Sequence, residues 1–157
     1  MQNLTPCLWY DGKAEEAANL YVSIFKNSKI LAIDRYSEEV SQASGQPAGS
    51  VMTVLFELDG REFLALNGGP IYTFTPAVSF MVYCDTQAEI DRYWDKLSEG
   101  GQEMECGWVQ DKYGLSWQIL PTVFGELMQG SDPQRQERVM NAMLNMTKID
   151  IETLMKA

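Results

Sequence analysis

An internal repeat restricts this chain to very few folds. Residues 4–10 are a short apolar run rich in strand-forming residues, and residues 13–25 carry apolar residues at helical spacing. Residues 77–84 and 85–99 repeat this order of a strand and then a helix. Further strand-like segments follow each helix, among them residues 103–109 in the second half, and each half ends in a turn and a strand. The sequence therefore predicts two β-α-β-β-β units of about 55 residues each.

Each predicted helix has one apolar face that should pack on a sheet. Tyr21 and Trp94 are the bulkiest residues on these two faces, so we expect both side chains to be buried. Asp11 lies just before the first helix, and we expect it to cap this helix because aspartate is a common capping residue. Residues 37–50 are polar and contain two glycines and a proline, which predicts a surface loop.

The last part of the chain, residues 122–157, predicts helices with a break at residues 130–133. Met140, Met143 and Leu144 in this part follow three- and four-residue spacing. We therefore expect these three side chains to be buried, either against the sheet or across a dimer interface.

The predicted elements together indicate an α+β fold with one domain. The tandem β-α-β-β-β region covers residues 1–121, with units at about residues 1–67 and 77–121. Residues 122–157 form a helical C-terminal extension of the same domain. A chain of 157 residues is long enough to bury a hydrophobic core without disulfides or a metal ion.

The chain contains no histidine, and this absence excludes many kinds of catalytic site. Histidine is the commonest catalytic base at neutral pH and the commonest metal ligand, so Ser-His-Asp catalysis, Cys-His catalysis and histidine-based metal sites are excluded. The sequence has 12 basic and 22 acidic residues, a net charge of −10. Because nucleic acids and anionic membranes attract basic surfaces, we expect neither as a partner.

The three cysteines, Cys7, Cys84 and Cys106, are far apart and form no CxxC pair. This pattern predicts reduced thiols and a cytoplasmic protein. No basic flank precedes an apolar run at the start, and no apolar stretch reaches about 18 residues, so we expect no signal peptide and no membrane span. A nucleophilic Cys7 or Cys106 is an alternative, but we expect structural thiols because no histidine can activate them.

Several sequence strings together identify a family. They are TPCLWYDGKAEEAA at 5–18, LNGGP at 66–70, AVSF at 77–80, EGG at 99–101, CGW at 106–108, DKYG at 111–114, WQI at 117–119 and VMNAML at 139–144. Over nearly its whole length the chain resembles the PhnB-like branch of the glyoxalase/bleomycin resistance/extradiol dioxygenase superfamily, the vicinal oxygen chelate superfamily. The resemblance implies curved mixed sheets around a concave pocket, helices outside them, and a homodimer.

Strand alternation indicates which side chains face that pocket, because successive strand residues point to opposite faces. In the second unit, Ser79, Met81 and Tyr83 lie on the pocket side of the first strand. The repeat places Trp9 on the corresponding side of the first unit. Pockets for small molecules are mostly apolar with a few polar groups. We expect the ligand-binding residues to be Trp9, Ser79, Met81, Tyr83, Ser116 and Gln118.

The resemblance also locates where a metal ion would bind. Metal-dependent members of the superfamily place one ligand on the first strand and one on the last strand of each unit. These positions correspond here to Thr5, Leu64, Ala77 and Gln118. Threonine, leucine and alanine cannot form a divalent site, and a glutamine oxygen alone is a weak ligand. We therefore expect no metal ion and no other cofactor.

The resulting hypothesis is a metal-free small-molecule binding protein with a glyoxalase-like fold. One alternative is a superfamily enzyme, a lyase, isomerase or dioxygenase, which the fold alone favours. Another is a structural dimer module, which a filled concave face would favour. Proteins of this branch often carry the name demethylubiquinone methyltransferase. We expect no methyl transfer, because the sequence has no glycine-rich strand-turn-helix segment for S-adenosylmethionine.

Overall fold

Two four-stranded sheets organise the chain, one in each half. The computed structural model describes residues 2–157. These residues divide into a first unit that ends at Thr73 and a second unit that spans Phe74–Ala157. Each unit has its own sheet and its own long helix, as the internal repeat predicts.

The first unit contains strands and helices in the predicted order, with one added helix. Its elements are β1 (Cys7–Tyr10), α1 (Ala14–Ile24), β2 (Lys29–Arg35), α2 (Glu38–Ser44), β3 (Val51–Leu58) and β4 (Arg61–Asn67). The strand order in the sheet is β1-β4-β3-β2. Strand β1 runs parallel to β4, and the other neighbouring pairs are antiparallel, so the sheet is mixed.

The second unit repeats this topology with shorter strands. Its elements are β5 (Ser79–Cys84), α3 (Gln87–Ser98), β6 (Gln102–Glu103), β7 (Trp108–Gln110) and β8 (Ser116–Pro121). The strand order is β5-β8-β7-β6, and the first and last strands again pair in parallel. The two sheets confirm the predicted α+β fold of two β-α-β-β-β units.

One face of each sheet forms a hydrophobic core with the helix of its unit. Tyr21 of α1 is fully buried, together with Phe56 of β3, and the two rings lie 6.4 Å apart. Trp94 of α3 is also buried, and its indole Nε1 donates a hydrogen bond of 2.9 Å to Glu103. The burial predicted for Tyr21 and Trp94 is confirmed.

Residues 37–50 are not a loop throughout, because they contain the short helix α2. The Ser37 side chain caps this helix by accepting from the Val40 N–H, and Gly45 ends it in the left-handed conformation at φ 77°. None of the residues of α2 is buried, so helical periodicity was absent from the sequence. The prediction of a continuous loop was therefore wrong.

The cap of helix α1 comes from a distant strand and not from Asp11. Lys13 occupies the N-cap position and makes no side-chain capping bond. The Ala14 N–H instead donates 2.8 Å to Oδ1 of Asn67, the last residue of β4. The prediction for Asp11 was wrong because the capping group is brought in by tertiary folding.

The C-terminal extension consists of three helices, α4 (Val123–Gln129), α5 (Pro133–Leu144) and α6 (Ile151–Lys156). The break before Pro133 was predicted, and a second break separates α5 from α6. Met143 is buried as expected, but Leu144 is 57% exposed and Met140 is 36% exposed. No helix among residues 2–157 is long and apolar enough to cross a membrane.

Candidate functional site

Five of the six predicted ligand-binding residues lie on one face of the second sheet. In the pairing of β5 with β8, Ser79 lies beside Ser116 and Met81 lies beside Gln118. Paired residues on neighbouring strands point to the same side of a sheet. Tyr83 lies on this same side, because it is two residues after Met81 on β5. This side is opposite to the one that carries buried Trp117 and Ile119, and we call it the open face.

The open face presents exposed apolar groups beside a polar pair. Met81 is 49% exposed and Tyr83 is 59% exposed, and the Tyr83 hydroxyl lies 3.6 Å from the Met81 sulfur. The Gln118 Nε2 atom donates 2.9 Å to the Ser79 hydroxyl. The Gln118 side chain is therefore oriented before any ligand binds, which favours specific over nonspecific ligand binding.

Ser116 belongs to the same face but lies beneath its surface. Its side chain is fully buried, and its Oγ has no hydrogen-bond partner among residues 2–157. An unpaired buried hydroxyl costs about 1–3 kcal/mol. Direct contact between Ser116 and a ligand requires neighbouring side chains to move, and this part of the predicted site stays a prediction.

Trp108 and Gln110 join the open face, although they were absent from the predicted site. Strand β7 places Trp108 beside Gln118 and Gln110 beside Ser116. The sequence suggested one strand over residues 103–109, whereas the structure has two short strands with a turn between them. Cys106 and Gly107 in this turn have φ values of 60° and 81°. The Cys106-Gly107 pair was the signal for the turn, because glycine favours positive φ.

A pocket of about 570 Å³ lies at the β6–β7 side of the open face. Trp108 belongs both to this pocket and to the open face. The remaining lining residues are Pro76, Gln102, Glu103, Met104, Glu105 and Cys106. The volume falls in the range of small-molecule pockets, and the indole supplies a flat apolar wall.

The open face carries no formal charge on its paired strands, in the part of the chain that the structure describes. The register and the alternation assign to it Ser79, Met81, Tyr83, Gln102, Trp108, Gln110, Ser116, Gln118 and Leu120. The rest of the surface is strongly acidic, since the net charge of the chain is −10. The paired strands of this face therefore suit an uncharged part of a ligand, whereas the adjoining pocket includes the side chains of Glu103 and Glu105.

The thiols are poor nucleophiles at two of the three positions. Burial is the main cause that raises the pKa of Cys84 to about 12, and the neighbouring carboxylates of Glu89 and Asp85 raise it further. Burial also raises the pKa of Cys7 above its ordinary value. All three cysteines are free thiols. The expectation of a structural thiol at Cys7 therefore has physical support, and the expectation for Cys106 stays a prediction.

Trp9, the sixth predicted residue, belongs to the first unit. Its indole Nε1 donates 2.8 Å to the Gly69 carbonyl, and its ring meets Tyr72 edge-on at 5.0 Å. A Cβ on Gly68 would lie 2.1 Å from the Trp9 ring, so only glycine permits this approach. Trp9 thus holds the loop after β4, and its participation in a ligand site with the other five residues stays a prediction.

The residues at the superfamily's metal positions do not fit a metal ion. Among residues 2–157 no group of three or more His, Cys, Asp or Glu side chains is placed to hold one. Leu64 pairs with Cys7 in the first unit, and Gln118 uses its amide nitrogen on Ser79 in the second. One neutral amide oxygen is too weak a donor set for a divalent ion.

Comparison with known proteins agrees with this architecture. A family model described as 3-demethylubiquinone-9 3-methyltransferase matches residues 2–120. No curated protein matches the chain. The solved structure of a Bacillus cereus protein, described as a putative 3-demethylubiquinone-9 3-methyltransferase and PhnB protein, is 38% identical. It aligns with 77% of this chain and 100% of its own, at a TM-score of 0.69.

Two more distant structures share the fold alone. Protein PA1353 from Pseudomonas aeruginosa is 19% identical with a TM-score of 0.61, and the alignment covers 77% of this chain and 98% of that one. The fosfomycin resistance protein FosX from Mesorhizobium loti is 12% identical with a TM-score of 0.51, covering 76% and 91%. The match over residues 2–120 and the 38% identical Bacillus cereus PhnB protein show that the chain belongs to the PhnB-like family, which has the fold of the vicinal oxygen chelate superfamily.

Proposed function

We propose that the chain is a metal-free small-molecule binding protein whose ligand lies on the open face of the second sheet. One observation carries this proposal. Met81, Gln118 and Trp108 stand side by side on neighbouring strands, next to a pocket of about 570 Å³. A thioether, a carboxamide and an indole in a row provide apolar contact with one fixed polar group, which is the usual composition of a ligand site.

The chemistry of this row favours an uncharged ligand with an aromatic or similarly flat apolar part. Indole rings stack on such groups, and a thioether adds favourable contacts with an aromatic ring. The Gln118 carboxamide keeps its oxygen available after its nitrogen has bonded to Ser79. The ligand is therefore expected to carry a hydrogen-bond donor beside its apolar part.

The family description mentions methyl transfer, and we do not carry this activity over to the chain. Its mixed sheets have no glycine-rich strand-turn-helix segment of the kind that holds S-adenosylmethionine. The enzyme alternative, a lyase, isomerase or dioxygenase, is distinguished by metal content. A bound metal ion whose removal by EDTA abolishes an activity would favour the enzyme over the binding protein.

A titration with the neutral fluorescent probe N-phenyl-1-naphthylamine tests the proposal. We expect saturable binding of one probe per chain with a Kd on the order of 10 μM, unchanged by EDTA. Trp108→Ala should weaken binding about tenfold, equivalent to about 1.4 kcal/mol, through loss of the stacking wall. Gln118→Leu serves as a second variant that preserves size on the strand.

Tyr93→Ala is the matched control, because Tyr93 is a half-buried aromatic residue of helix α3, which packs on the sheet face opposite to the open face. It should leave probe affinity unchanged. The proposal is wrong if the wild-type protein does not bind the probe saturably. It is also wrong if Trp108→Ala and Gln118→Leu both bind as the wild-type protein does.

A homodimer in a reducing compartment is also proposed. The resemblance to the superfamily implies the dimer, and a row across the first sheet of half-buried Leu55, half-buried Leu64 and exposed Cys7 supports it. Three free cysteines support a cytoplasmic location. Light scattering should give twice the chain mass of 17.7 kDa, and cell fractionation should place the protein in the cytosol. A monomer or a secreted protein would contradict these two expectations.

A further inference from the structure

We propose that the C-terminal extension controls the ligand site by holding the turn between β6 and β7. This inference rests on the proposed function for the identity of the site. The extension lies beyond residues 2–120, the part of the chain that the family model matches. Its connecting segment, residues 145–150 between α5 and α6, contacts the turn that lines the pocket.

Two backbone hydrogen bonds join the extension to the turn. The Cys106 N–H donates 2.8 Å to the Met146 carbonyl, and the Gly107 N–H donates 2.8 Å to the Thr147 carbonyl. Cys106 has a φ of 60°, which is unfavourable for a residue with a Cβ. Backbone bonds inside the turn, from the Trp108 N–H to the Glu105 carbonyl at 3.2 Å and from the Met104 N–H to the Trp108 carbonyl at 3.0 Å, close it, and the extension accepts from the two residues with positive φ.

The same segment is anchored to helix α3 by directional contacts. The Gln87 carboxamide accepts 2.9 Å from the Ile151 N–H and donates 3.0 Å to the Ile149 carbonyl. Lys148 forms an ion pair of 2.9 Å with Asp91. The Ile149 side chain is fully buried. These contacts hold one short stretch of backbone in register against the second unit.

Contact with the turn reaches the ligand site in one further step. The Gly107 carbonyl accepts 2.8 Å from the Ile119 N–H on β8. The two residues that form this bond are each next in sequence to a residue of the open face. Trp108 follows Gly107, and Gln118 precedes Ile119. Gly107 packs closely against the extension, since a Cβ on Gly107 would lie 3.0 Å from the Ile149 side chain. The turn therefore has little room to shift relative to residues 145–150.

Coupling of this kind is reciprocal. If the attached extension improves ligand affinity, a bound ligand must strengthen attachment of the extension by the same factor. Two measurements therefore test the same coupling free energy between ligand binding and attachment of the extension. The first is probe affinity in variants with a weakened anchor, and the second is hydrogen exchange at the turn with and without the probe.

Gln87→Ala weakens the anchor without touching the open face. We expect it to reduce affinity for N-phenyl-1-naphthylamine about fivefold to tenfold, and Lys148→Met to reduce it less. In the wild-type protein, saturating probe should slow hydrogen exchange at the Gly107 amide. Lys156→Ala is the matched control, because Lys156 pairs with Glu152 inside the extension and lies away from the turn. It should change neither measurement.

A probe-independent readout separates failure of this inference from failure of the proposed function. In protein labelled with 5-fluorotryptophan, the Trp108 signal in the ¹⁹F spectrum is assigned with Trp108→Phe. Gln87→Ala should shift this signal, and Lys156→Ala should not. The coupling is overturned if the Trp108 signal and the exchange rate of the Gly107 amide are both the same in Gln87→Ala as in the wild-type protein. This comparison is made without probe, so it does not depend on whether the probe binds. A wild-type protein that binds no probe overturns the proposed function instead.

Discussion

The two units share a topology, but their long helices begin in different ways. Helix α3 has a complete capping box, in which Thr86 and Glu89 satisfy each other's backbone N–H groups. Helix α1 has no side-chain cap of its own and uses Asn67, which lies 53 positions later in the sequence at the end of β4. The start of α3 is therefore encoded locally, whereas the start of α1 requires that β4 is already in place.

The two sheets also differ on the faces that point away from their helices. Leu64 and Gln118 occupy matching positions, since each lies on the last strand of its unit and pairs with the first. The leucine is apolar, whereas the glutamine adds a hydrogen-bonding group that Ser79 holds in place. The two units therefore have the same strand topology but different side chains at the matching position. Because only the second unit offers a hydrogen-bonding group there, it is the better candidate for ligand recognition.

The largest expected effects come from removing the buried ring of each helix. Tyr21→Ala and Trp94→Ala should each lower the free energy of unfolding by about 3–5 kcal/mol, because both leave a large cavity. Urea denaturation of the two variants measures this. Leu144→Ala is the control and should have little effect, since Leu144 is mostly exposed. A loss below about 1 kcal/mol in one unit would show that its helix packs less tightly than its counterpart.

The two helix caps should differ in their contribution to stability. Thr86→Ala removes a local cap and should cost about 1 kcal/mol. Asn67→Ala should cost about 2–3 kcal/mol, because it removes the buried cap of α1 and also a partly buried bond to the Val51 carbonyl. Denaturation of both variants compares them directly. Equal losses would contradict the view that Asn67 joins the helix to the sheet.

The smallest effect concerns pH and is confined to the second unit. Hydrogen bonds from Lys148 and then Gln87 lower the pKa of Asp91 below its ordinary value of 3.8. The contribution of a carboxylate with a lowered pKa is complete above the ordinary value and is lost as pH falls through the lowered one. Asp91 in turn raises the pKa of Lys148, so this cation contributes until pH rises past its ordinary 10.5.

Attachment of the C-terminal extension should therefore be constant across neutral pH and weaken below about pH 4. Hydrogen exchange at the Gly107 amide, corrected for the intrinsic pH dependence, reports this attachment. Asp91→Asn should reduce the acid sensitivity, and the Leu64 amide of the first unit should show none of it. Equal acid weakening at both amides would indicate general unfolding and not release of the extension.

Periodicity along the chain was sufficient to predict much of the fold. The alternation of strand residues and the apolar faces of two helices are local patterns, and they predicted the repeat and the burial of Tyr21 and Trp94. The same alternation placed Met81 and Gln118 on one face. These features depend only on which residues recur at two- or three-to-four-residue spacing.

Long-range contacts decided what periodicity does not encode. Asn67 caps α1 across more than fifty positions, and Trp108 reaches the open face only because β7 pairs with β8 after a turn. The extension holds that turn through the carbonyls of Met146 and Thr147. The Asn67 cap uses a side-chain oxygen and the bonds of the turn use backbone groups, but in each case the partner lies far away along the chain. These partners are therefore selected by how the elements pack and not by the local sequence.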